Sequence, residues 1–320
     1  MYKSYYYLNR LTIELNSILA NRMIVSIFSQ EKDRLIIELD GNEELFLEVS
    51  VNHSEPFINV RNRFSRAKKN TIEFFSSLIS KTIQNVLIAS DDRIIKIVTN
   101  GGDLFFAIRG KYTNLFFKSE TLISFKNETE ENLMKFNQEF ENKFYHNSFN
   151  MIDVDLIDGL SIEEIRKKYQ FIGREIEYEV KVRRTDNESD SEILLNVLQD
   201  IFTESAAVYL NEQNSEVQIG FDYFKIFSKM EKRLFDSVTE AFNNFLLKKY
   251  QYEEKNNKLK KVNLFLDREL KKNASRLNNL IIVLEKGSQD EHYSKIANLL
   301  LINLNAIPNG VSEIEIDDIY

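Results

Sequence analysis

The stretch Ile94-Ile-Lys-Ile-Val-Thr-Asn-Gly-Gly-Asp-Leu-Phe-Phe-Ala-Ile108 predicts two β-strands joined by a tight turn. Residues 94–98 and 104–108 are rich in β-branched, aromatic and aliphatic side chains, a composition typical of strands. Between them, Asn100-Gly-Gly-Asp103 has the residue types that a hairpin turn favours. Because such a hairpin pairs chain neighbours, it favours a fold built from antiparallel meanders.

Working outward from this hairpin, similar runs of strand-forming residues fill the first 126 residues. The further predicted strands are 23–28, 35–39, 45–49, 56–60, 86–88 and 115–117. Helices are predicted at 5–19, from the spacing of the apolar residues, and at 70–81, with Asn70 or Thr71 as the N-cap. We therefore expect a β-rich sandwich or barrel with two helices.

After residue 126 the pattern changes mainly to helix. The predicted elements are a polar helix at 128–144, short helices at 162–169 and 175–182, a polar linker at 184–191, a hairpin of strands 206–210 and 217–221, an almost wholly helical segment from Met230 onward and an acidic, strand-like end at 314–320. The fold class is α+β. We expect a β-rich domain at 1–148, a middle region at 149–228 and a coiled-coil arm at 229–320.

A heptad spacing marks the long C-terminal helix. Its apolar residues are separated by 3, 4, 4, 7, 3 and 4 positions: Leu259, Val262, Leu266, Leu270, Leu277, Leu280 and Leu284. This spacing is typical of a coiled-coil seam, and the alternative is a long helix packed on the domain body. Residues 296–306 are too few to cover the seam. We therefore expect the first half of an antiparallel arm, in a natural protein that continues beyond Tyr320.

The composition excludes several kinds of site. The 320 residues include 42 Lys and Arg against 50 Asp and Glu, a net charge of −8, with no Cys and 3 scattered His. Disulfides, thiolate nucleophiles and Cys-bound metals are thereby excluded, and little remains for a His-rich metal site. No secretory signal is recognisable, and apolar runs such as 280–284 are too short to span a bilayer. We expect a soluble, cytoplasmic protein.

No catalytic motif is present in the sequence. It lacks a Walker phosphate loop, a dinucleotide-binding glycine triplet and a serine elbow. Carboxylates are 50 of the 320 residues, so acid pairs arise by chance and do not indicate a glycosidase. We expect neither enzymatic activity nor a cofactor or metal.

Positive charge is concentrated locally despite the negative total. Residues 61–69 contain no acid and five bases: Arg61, Arg63, Arg66, Lys68 and Lys69. Residues 240–286 carry 11 bases and 6 acids, a local charge of 11 − 6 = +5. Both stretches are candidates for phosphate contacts, because clustered cations release counterions when they bind nucleic acid. The alternative is a solvated loop and a solvated helix face.

The turn between the two short helices offers a candidate anion site. The second helix begins just after Gly173, at Arg174, and the free N–H groups of its first turn can bind a phosphate. The alternative is a plain helical hairpin packed on the body.

A second candidate lies where the opening hairpin ends. If its strands pair across the turn, Asp92 and Arg93 before the first strand come close to Arg109 after the second. An acid and two guanidinium groups at one rim can bind a polynucleotide backbone or an exposed base. The alternative is a structural charge cluster at the sheet edge.

Several short motifs, in this order, resemble the NFACT family, also called the fibronectin-binding protein A family. They are Asn21-Arg22-Met-Ile24, Asp92-Arg93-Ile-Ile95 and Arg109-Gly-Lys-Tyr-Thr-Asn114 in its N-terminal domain, Lys167-Lys-Tyr-Gln-Phe-Ile-Gly-Arg-Glu175 in its helix–hairpin–helix segment, and residues 235–242 and 297–310 in its coiled coil. The resemblance implies an N-terminal domain similar in fold to that of formamidopyrimidine-DNA glycosylases. The family's C-terminal RNA-binding domain and returning arm have no counterpart here.

The resemblance also implies a function. Family members bind the large ribosomal subunit that holds an obstructed peptidyl-tRNA, and they recruit tRNA, alanyl-tRNA in bacteria, so that a C-terminal tail is added to the stalled chain. By the same resemblance, the tRNA-binding residues are Asp92, Arg93, Arg109, Asn114 and Arg22. The ribosome performs peptidyl transfer, so the protein needs no nucleophile of its own.

Two alternatives come from other functional classes. A fibronectin- or fibrinogen-binding surface adhesin is one, although the sequence shows neither a secretion signal nor a wall-sorting tail. A nucleic-acid-processing enzyme related to the glycosylases is the other. That chemistry uses an N-terminal proline amine as nucleophile, whereas this chain begins Met1-Tyr2-Lys3.

Overall fold

The computed structural model describes residues 1–41, 43–67, 69–185 and 187–319, apart from the side chain of Ser288. Lys68 of the basic stretch and Tyr320 of the acidic end therefore lie outside the described residues. The chain divides into two units, Met1–Tyr252 and Glu253–Tyr320. Both predicted boundaries, near residues 148 and 228, fall inside the first unit.

The first helix, α1 (Tyr5–Leu19), forms as predicted and lies in the core. Leu8, Leu11, Leu15 and Leu19 recur at helical spacing, and all four are at most 2% exposed. Three consecutive tyrosines, residues 5–7, are fully buried as well. Because α1 buries more than one face, it is a central element rather than a surface helix.

Two antiparallel sheets lie within the first 146 residues. The first has the order β4-β3-β2-β1-β5 and the second the order β10-β9-β8-β7-β6-β11. The strands of the first sheet are β1 (Ile24–Glu31), β2 (Arg34–Leu39), β3 (Leu45–Ser50), β4 (Phe57–Arg61) and β5 (Ile72–Glu73). Those of the second are β6 (Ile83–Ala89), β7 (Ile94–Thr99), β8 (Gly102–Ala107), β9 (Asn114–Lys118), β10 (Leu122–Ser124) and β11 (Tyr145–His146). The meander order confirms the β-rich prediction.

β7 and β8 pair as the predicted hairpin, and the observed register runs from Ile94 opposite Ala107 to Thr99 opposite Gly102. Gly102 has a φ of 128°, and a Cβ added there would lie 2.5 Å from the carbonyl oxygen of Lys118. The turn therefore requires glycine for both its backbone conformation and its close approach to β9.

The middle of the chain combines helices with a third sheet of order β13-β12-β14. Its elements are α2 (Glu130–Asn142), α3 (Ile162–Lys168), α4 (Arg174–Arg183), α5 (Asp190–Thr203), β12 (Ala206–Asn211), β13 (Glu216–Phe221) and β14 (Glu231–Phe235). The short helices and the β12–β13 hairpin agree with prediction. Helix α5, however, was not predicted, although Ser189 and Glu192 form a capping box at its start.

Three predictions were wrong. The helix at 70–81 is replaced by β5, which pairs Glu73 with Phe28, and by a 3₁₀ turn at Ser76–Leu78. Phe75 and Ser80 have positive φ values of 47° and 65°, which a continuous α-helix excludes. β14 interrupts the helical segment predicted from Met230, because it pairs with β12. Residues 311–319 form no strand.

The last helix, α6, spans Val238–Ile302. Its start packs in the first unit, where the Glu14 carboxylate accepts hydrogen bonds from the backbone N–H groups of Val238 (2.7 Å) and Thr239 (3.1 Å). In the second unit, the seven seam residues predicted from the heptad are each at least 51% exposed. Among the described residues, none of the helices combines the length and apolarity needed to cross a membrane.

Candidate nucleic-acid interface

The end of the β7–β8 hairpin brings Asp92, Arg93 and Arg109 together, as the sequence predicted. The backbone N–H of Ile108 donates to the carbonyl oxygen of Arg93 at 3.0 Å, which closes the hairpin at this end. An Asp92 carboxylate oxygen accepts the backbone N–H of Arg93 at 2.7 Å. Asp92 therefore fixes the backbone from which the Arg93 side chain extends.

Asp92 and Arg109 belong to an acid–base cluster formed by Asp91, Asp92, Arg109, Glu139 and Lys143. The Arg109 guanidinium donates to both Asp92 and Glu139, and Lys143 Nζ lies 2.8 Å from Asp91 and 3.5 Å from Asp92. Burial lowers the pKa of Arg109, but the hydrogen bonds and charges of Glu139 and Asp92 outweigh it and raise the pKa above its ordinary value. The charges of this cluster are largely satisfied within it.

Asn114 is fully buried and cannot reach a ligand from this position. Its amide nitrogen donates to the Lys126 carbonyl at 3.0 Å, and its oxygen accepts the backbone N–H groups of Leu115 and Lys126 at 2.9 Å. The amide thus joins β9 to the segment that follows β10. The structure places Asn114 in the framework, so the tRNA-binding role implied for it does not fit.

Arg22 is held in a structural position as well. Its guanidinium donates to the carbonyl oxygens of Asp40, at 2.8 Å, and Ile18, at 3.3 Å. These bonds tie the end of α1 to the end of β2. Arg22 contacts neither Asp92 nor Arg93 among the described residues, so the motifs of the resemblance do not all meet in one site.

Arg93 lines a cleft of about 480 Å³ that we call the cationic cleft. Its basic side chains are Lys3, Arg93, Arg166 and Arg174, and its wall is the turn between α3 and α4. Tyr5 packs against Phe171 of that turn, with 4.9 Å between ring centroids, so the start of α1 is held against it. The cleft thereby joins the hairpin end to the predicted anion site at Gly173 and Arg174.

The N-terminal ends of α1 and α4 both border the cationic cleft. Ser4 and Gly173 are their N-caps, and neither helix has a side-chain capping bond. Backbone N–H groups in these first turns therefore have no acceptor from an N-cap side chain, and the helix dipoles favour negative charge there. Ser4 Oγ is also buried and has no hydrogen-bond partner among the described residues, so it offers a further donor.

The cations of the cleft mostly contact backbone carbonyls. Arg93 donates to the Lys3 carbonyl at 3.4 Å, and Lys3 Nζ donates to the Ser54 carbonyl at 2.5 Å. Burial lowers the pKa of Lys3, and the charge of Lys249 lowers it further. Since a carbonyl leaves the positive charge in place, these groups can still attract an anion.

Two carboxylates moderate the charge of the cleft. Glu177 accepts a hydrogen bond from Arg166 and holds it in position. Glu175 lies 3.6 Å from the amino group of Met1. Burial lowers the pKa of that amine, and Glu175 partly offsets the effect. No ion pair joins the exposed Arg174 to another residue of the described chain.

The predicted basic stretch at 61–69 starts at the last residue of β4, Arg61, and its described residues beyond β4 are mostly exposed and have no strand or helix. Arg61 pairs with Glu48 at 2.8 Å, and Arg66 lies 3.5 Å from Glu73 with its guanidinium 4.3 Å from the Phe28 ring centroid. Arg63 and Lys69 are exposed. None of the described residues of this stretch lines the cationic cleft.

Sequence reasoning missed Lys3, Ser4 and Arg166. One signal was available for Arg166, because it lies in the last turn of α3, next to the predicted anion-binding turn. The other two residues precede the first helix and carry no motif. Across the described residues, no group of three or more His, Asp or Glu side chains could hold a metal ion.

Comparison with known proteins gives one family match. Residues 157–320 match the model of the NFACT N-terminal and middle domains. The chain matches no curated protein sequence.

Solved structures resemble the chain over most of its length. The fibrinogen binding protein from Staphylococcus aureus has a TM-score of 0.58 and 15% identity, over 77% of this chain and 99% of that one. The N-terminal part of the fibronectin/fibrinogen-binding protein from Streptococcus suis has a TM-score of 0.54 and 13% identity, over 76% and 98%. At such low identities, the similarity concerns the fold.

Proposed function

The chain belongs to the NFACT family, and on that premise we propose that it is a ribosome-associated quality-control factor. In this proposal it binds tRNA and the obstructed large ribosomal subunit in the cytoplasm, and it supports C-terminal tailing of stalled nascent chains. The tRNA would be alanyl-tRNA if the chain follows the bacterial members that it resembles.

The observation that carries the proposal is the cationic cleft. It unites Arg93 with Gly173 and Arg174, two features that the sequence indicated separately. Guanidinium groups beside free helix N–H donors are well suited to the phosphates of a nucleic acid backbone. Cations held against carbonyls also release counterions when phosphates bind.

The residues divide into contacting and positioning groups. Arg93 and Arg174 contact phosphates in this proposal, and Ser4 supplies a hydroxyl donor. Asp92 positions Arg93 through its backbone N–H, and Arg109 positions Asp92. The ribosome forms the peptide bonds, so the proposal requires no catalytic residue, cofactor or metal in this chain.

Co-sedimentation tests the proposal directly. Large ribosomal subunits from cells with stalled translation are sedimented with the wild-type protein, with Arg93→Ala/Arg174→Ala, and with the control Lys135→Ala on the exposed face of α2. We expect the wild type and the control to sediment with the subunits and to bind tRNA, and the double variant to lose tRNA binding. Wild-type protein that stays in the supernatant while the subunits carry stalled chains would refute the proposal.

A second candidate function follows from the descriptions of the two structural neighbours as fibrinogen- and fibronectin/fibrinogen-binding proteins. The chain shares their fold, so the same ligands are candidates here. Surface plasmon resonance on immobilised fibronectin and fibrinogen distinguishes the two functions. Saturable binding that survives Arg93→Ala/Arg174→Ala would favour this second candidate.

A further inference from the structure

A second cavity, of about 580 Å³, lies beside the third sheet and away from the residues that line the cationic cleft. Its floor is buried and apolar, formed mainly by Ile193, Tyr209 and Phe224. The hydroxyl of Tyr209 donates to the Phe221 carbonyl at 2.6 Å. Because that hydroxyl is already bonded, Tyr209 offers the cavity chiefly its aromatic ring.

Tyr223 stands at the rim as an exposed aromatic ring with a fixed backbone. Its side chain is 63% exposed, and its φ of 65° is uncommon for a bulky residue. The backbone is held at both ends, since its N–H donates to Asp222 at 2.8 Å and its carbonyl accepts from Arg183 at 3.0 Å. An exposed aromatic ring on a fixed backbone is pre-organised for stacking.

The positive charge around this cavity is mostly paired or matched by opposite charge, which argues against an anion as its main ligand. Of its three basic lining residues, Lys225 has no ion pair in the described part of the chain, and the acidic Glu188 lines the same cavity. Arg183 bonds Glu179 at 2.6 Å and Asp200 at 2.5 Å, and Lys232 bonds Asp222. Asn196, at the rim, is exposed and supplies an amide donor and acceptor. Aromatic walls, one amide and balanced charge fit a neutral, planar, hydrogen-bonding ring.

We propose that this cavity, the base pocket, binds one unstacked nucleobase of single-stranded or loop RNA. Tyr223 stacks on the base, and the Asn196 amide bonds its edge. The volume lies within the roughly 300–1,000 Å³ of small-ligand sites. The inference rests on the proposed function, since the cationic cleft binds the backbone of the same RNA.

Two RNA probes isolate the base pocket from the cleft. One is a short fluorescein-labelled single strand, and the other is that strand annealed to its complement, whose bases are all stacked and paired. Fluorescence anisotropy gives Kd for each probe with wild type, Tyr223→Ala, Tyr223→Phe, and Tyr178→Ala as a matched control at an exposed tyrosine on α4.

We expect Tyr223→Ala to weaken single-strand binding by about tenfold, or ~1.4 kcal/mol, which is within the contribution of one base stacked on an aromatic ring. Duplex binding stays unchanged, and both Tyr223→Phe and Tyr178→Ala bind like wild type. If Tyr223→Ala weakens binding of both probes equally, or of neither, the proposal of the base pocket is overturned while the proposed function stands. Failure of wild type to bind either probe overturns the proposed function together with the pocket.

Discussion

Asp92 and Arg93 are adjacent in sequence, yet they belong to regions with opposite electrostatic character. Asp92 lies in the acid–base cluster, where the guanidinium of Arg109 meets two carboxylates. Arg93 lines the cationic cleft, where its contact is a backbone carbonyl. Arg109, paired with carboxylates, stabilises the fold, whereas Arg93, held by a carbonyl, keeps its charge for a ligand. Both side chains are partly buried, so in this pair the bonding partner, more than the exposure, separates the structural from the binding role.

The largest expected effect comes from reversing the charge of the cleft. Arg93→Glu should weaken RNA binding by about 100-fold, or ~2.7 kcal/mol, because it replaces a phosphate contact with repulsion. Anisotropy with labelled tRNA measures the change, and the thermal midpoint should stay close to wild type. Lys135→Glu makes the same charge change on α2 and should have little effect. Equal losses in the two variants would mean that total charge, and not the cleft, governs binding.

Removing the centre of the acid–base cluster should affect stability instead. Arg109→Met leaves Asp92 and Glu139 without their shared partner and should cost about 2 kcal/mol of the free energy of unfolding. Solvent reaches part of the cluster, so the cost is below that of a fully buried pair. Chemical denaturation gives this value. If Arg109→Met instead abolished RNA binding in a protein of unchanged stability, Arg109 would belong with the contacting residues.

The salt dependence of RNA binding also distinguishes residues of the cationic cleft from residues of the acid–base cluster. Arg174→Gln should reduce the slope of log K against log salt concentration by about one, as expected for the loss of one phosphate contact. Its affinity at low salt should fall several-fold. The single variant Arg109→Met should keep the wild-type slope of log K against log salt concentration. A wild-type slope in Arg174→Gln would remove Arg174 from the interface.

The smallest effect concerns Glu177, the carboxylate that holds Arg166 in the cleft. The hydrogen bond from Lys181 lowers the pKa of Glu177 from its ordinary value of 4.5, and Arg166 lowers it further against the opposing effect of burial. The stability that this group contributes is therefore present above pH 4.5 and is lost as pH falls through the lowered pKa. Glu177→Gln should show a flatter dependence of unfolding free energy on pH in this range. If the unfolding free energy of Glu177→Gln had the same pH dependence as that of wild type, the stabilising role assigned to Glu177 would be wrong.

The local elements were largely predictable, because they depend on residues close in sequence. The hairpin at 94–108 combines strand-forming residues with a glycine turn, and the structure confirms that its two strands pair. The prediction of a helix at 70–81 was wrong because the segment pairs with β1 and has positive φ at Phe75 and Ser80, which outweigh the local N-cap signal of Asn70 or Thr71. The likeness to glycosylases and the helix–hairpin–helix identity stay predictions.

The candidate site was predictable only in pieces. Arg93 and the turn at Gly173 each carried a local signal, but nothing in the sequence indicated that they share one cleft. Their meeting depends on Tyr5 packing against Phe171, a contact between distant parts of the chain. Asn114 and Arg22 show the converse case, because conspicuous polar residues in a family motif prove to be framework residues.

Within its described residues, helix α6 contributes only the side chains of its first turns to the core, and this has a practical consequence for shortening the protein. Glu14 caps its first turn, and Val238, Ala241, Phe242, Phe245 and Leu246 are buried. From Glu253 onward, none of the described residues is buried. The first turns are thus an integral part of the folded unit, while the rest can be shortened, lengthened or exchanged without removing a core contact. A protein engineer would place the end of a minimal expression fragment just after Tyr252.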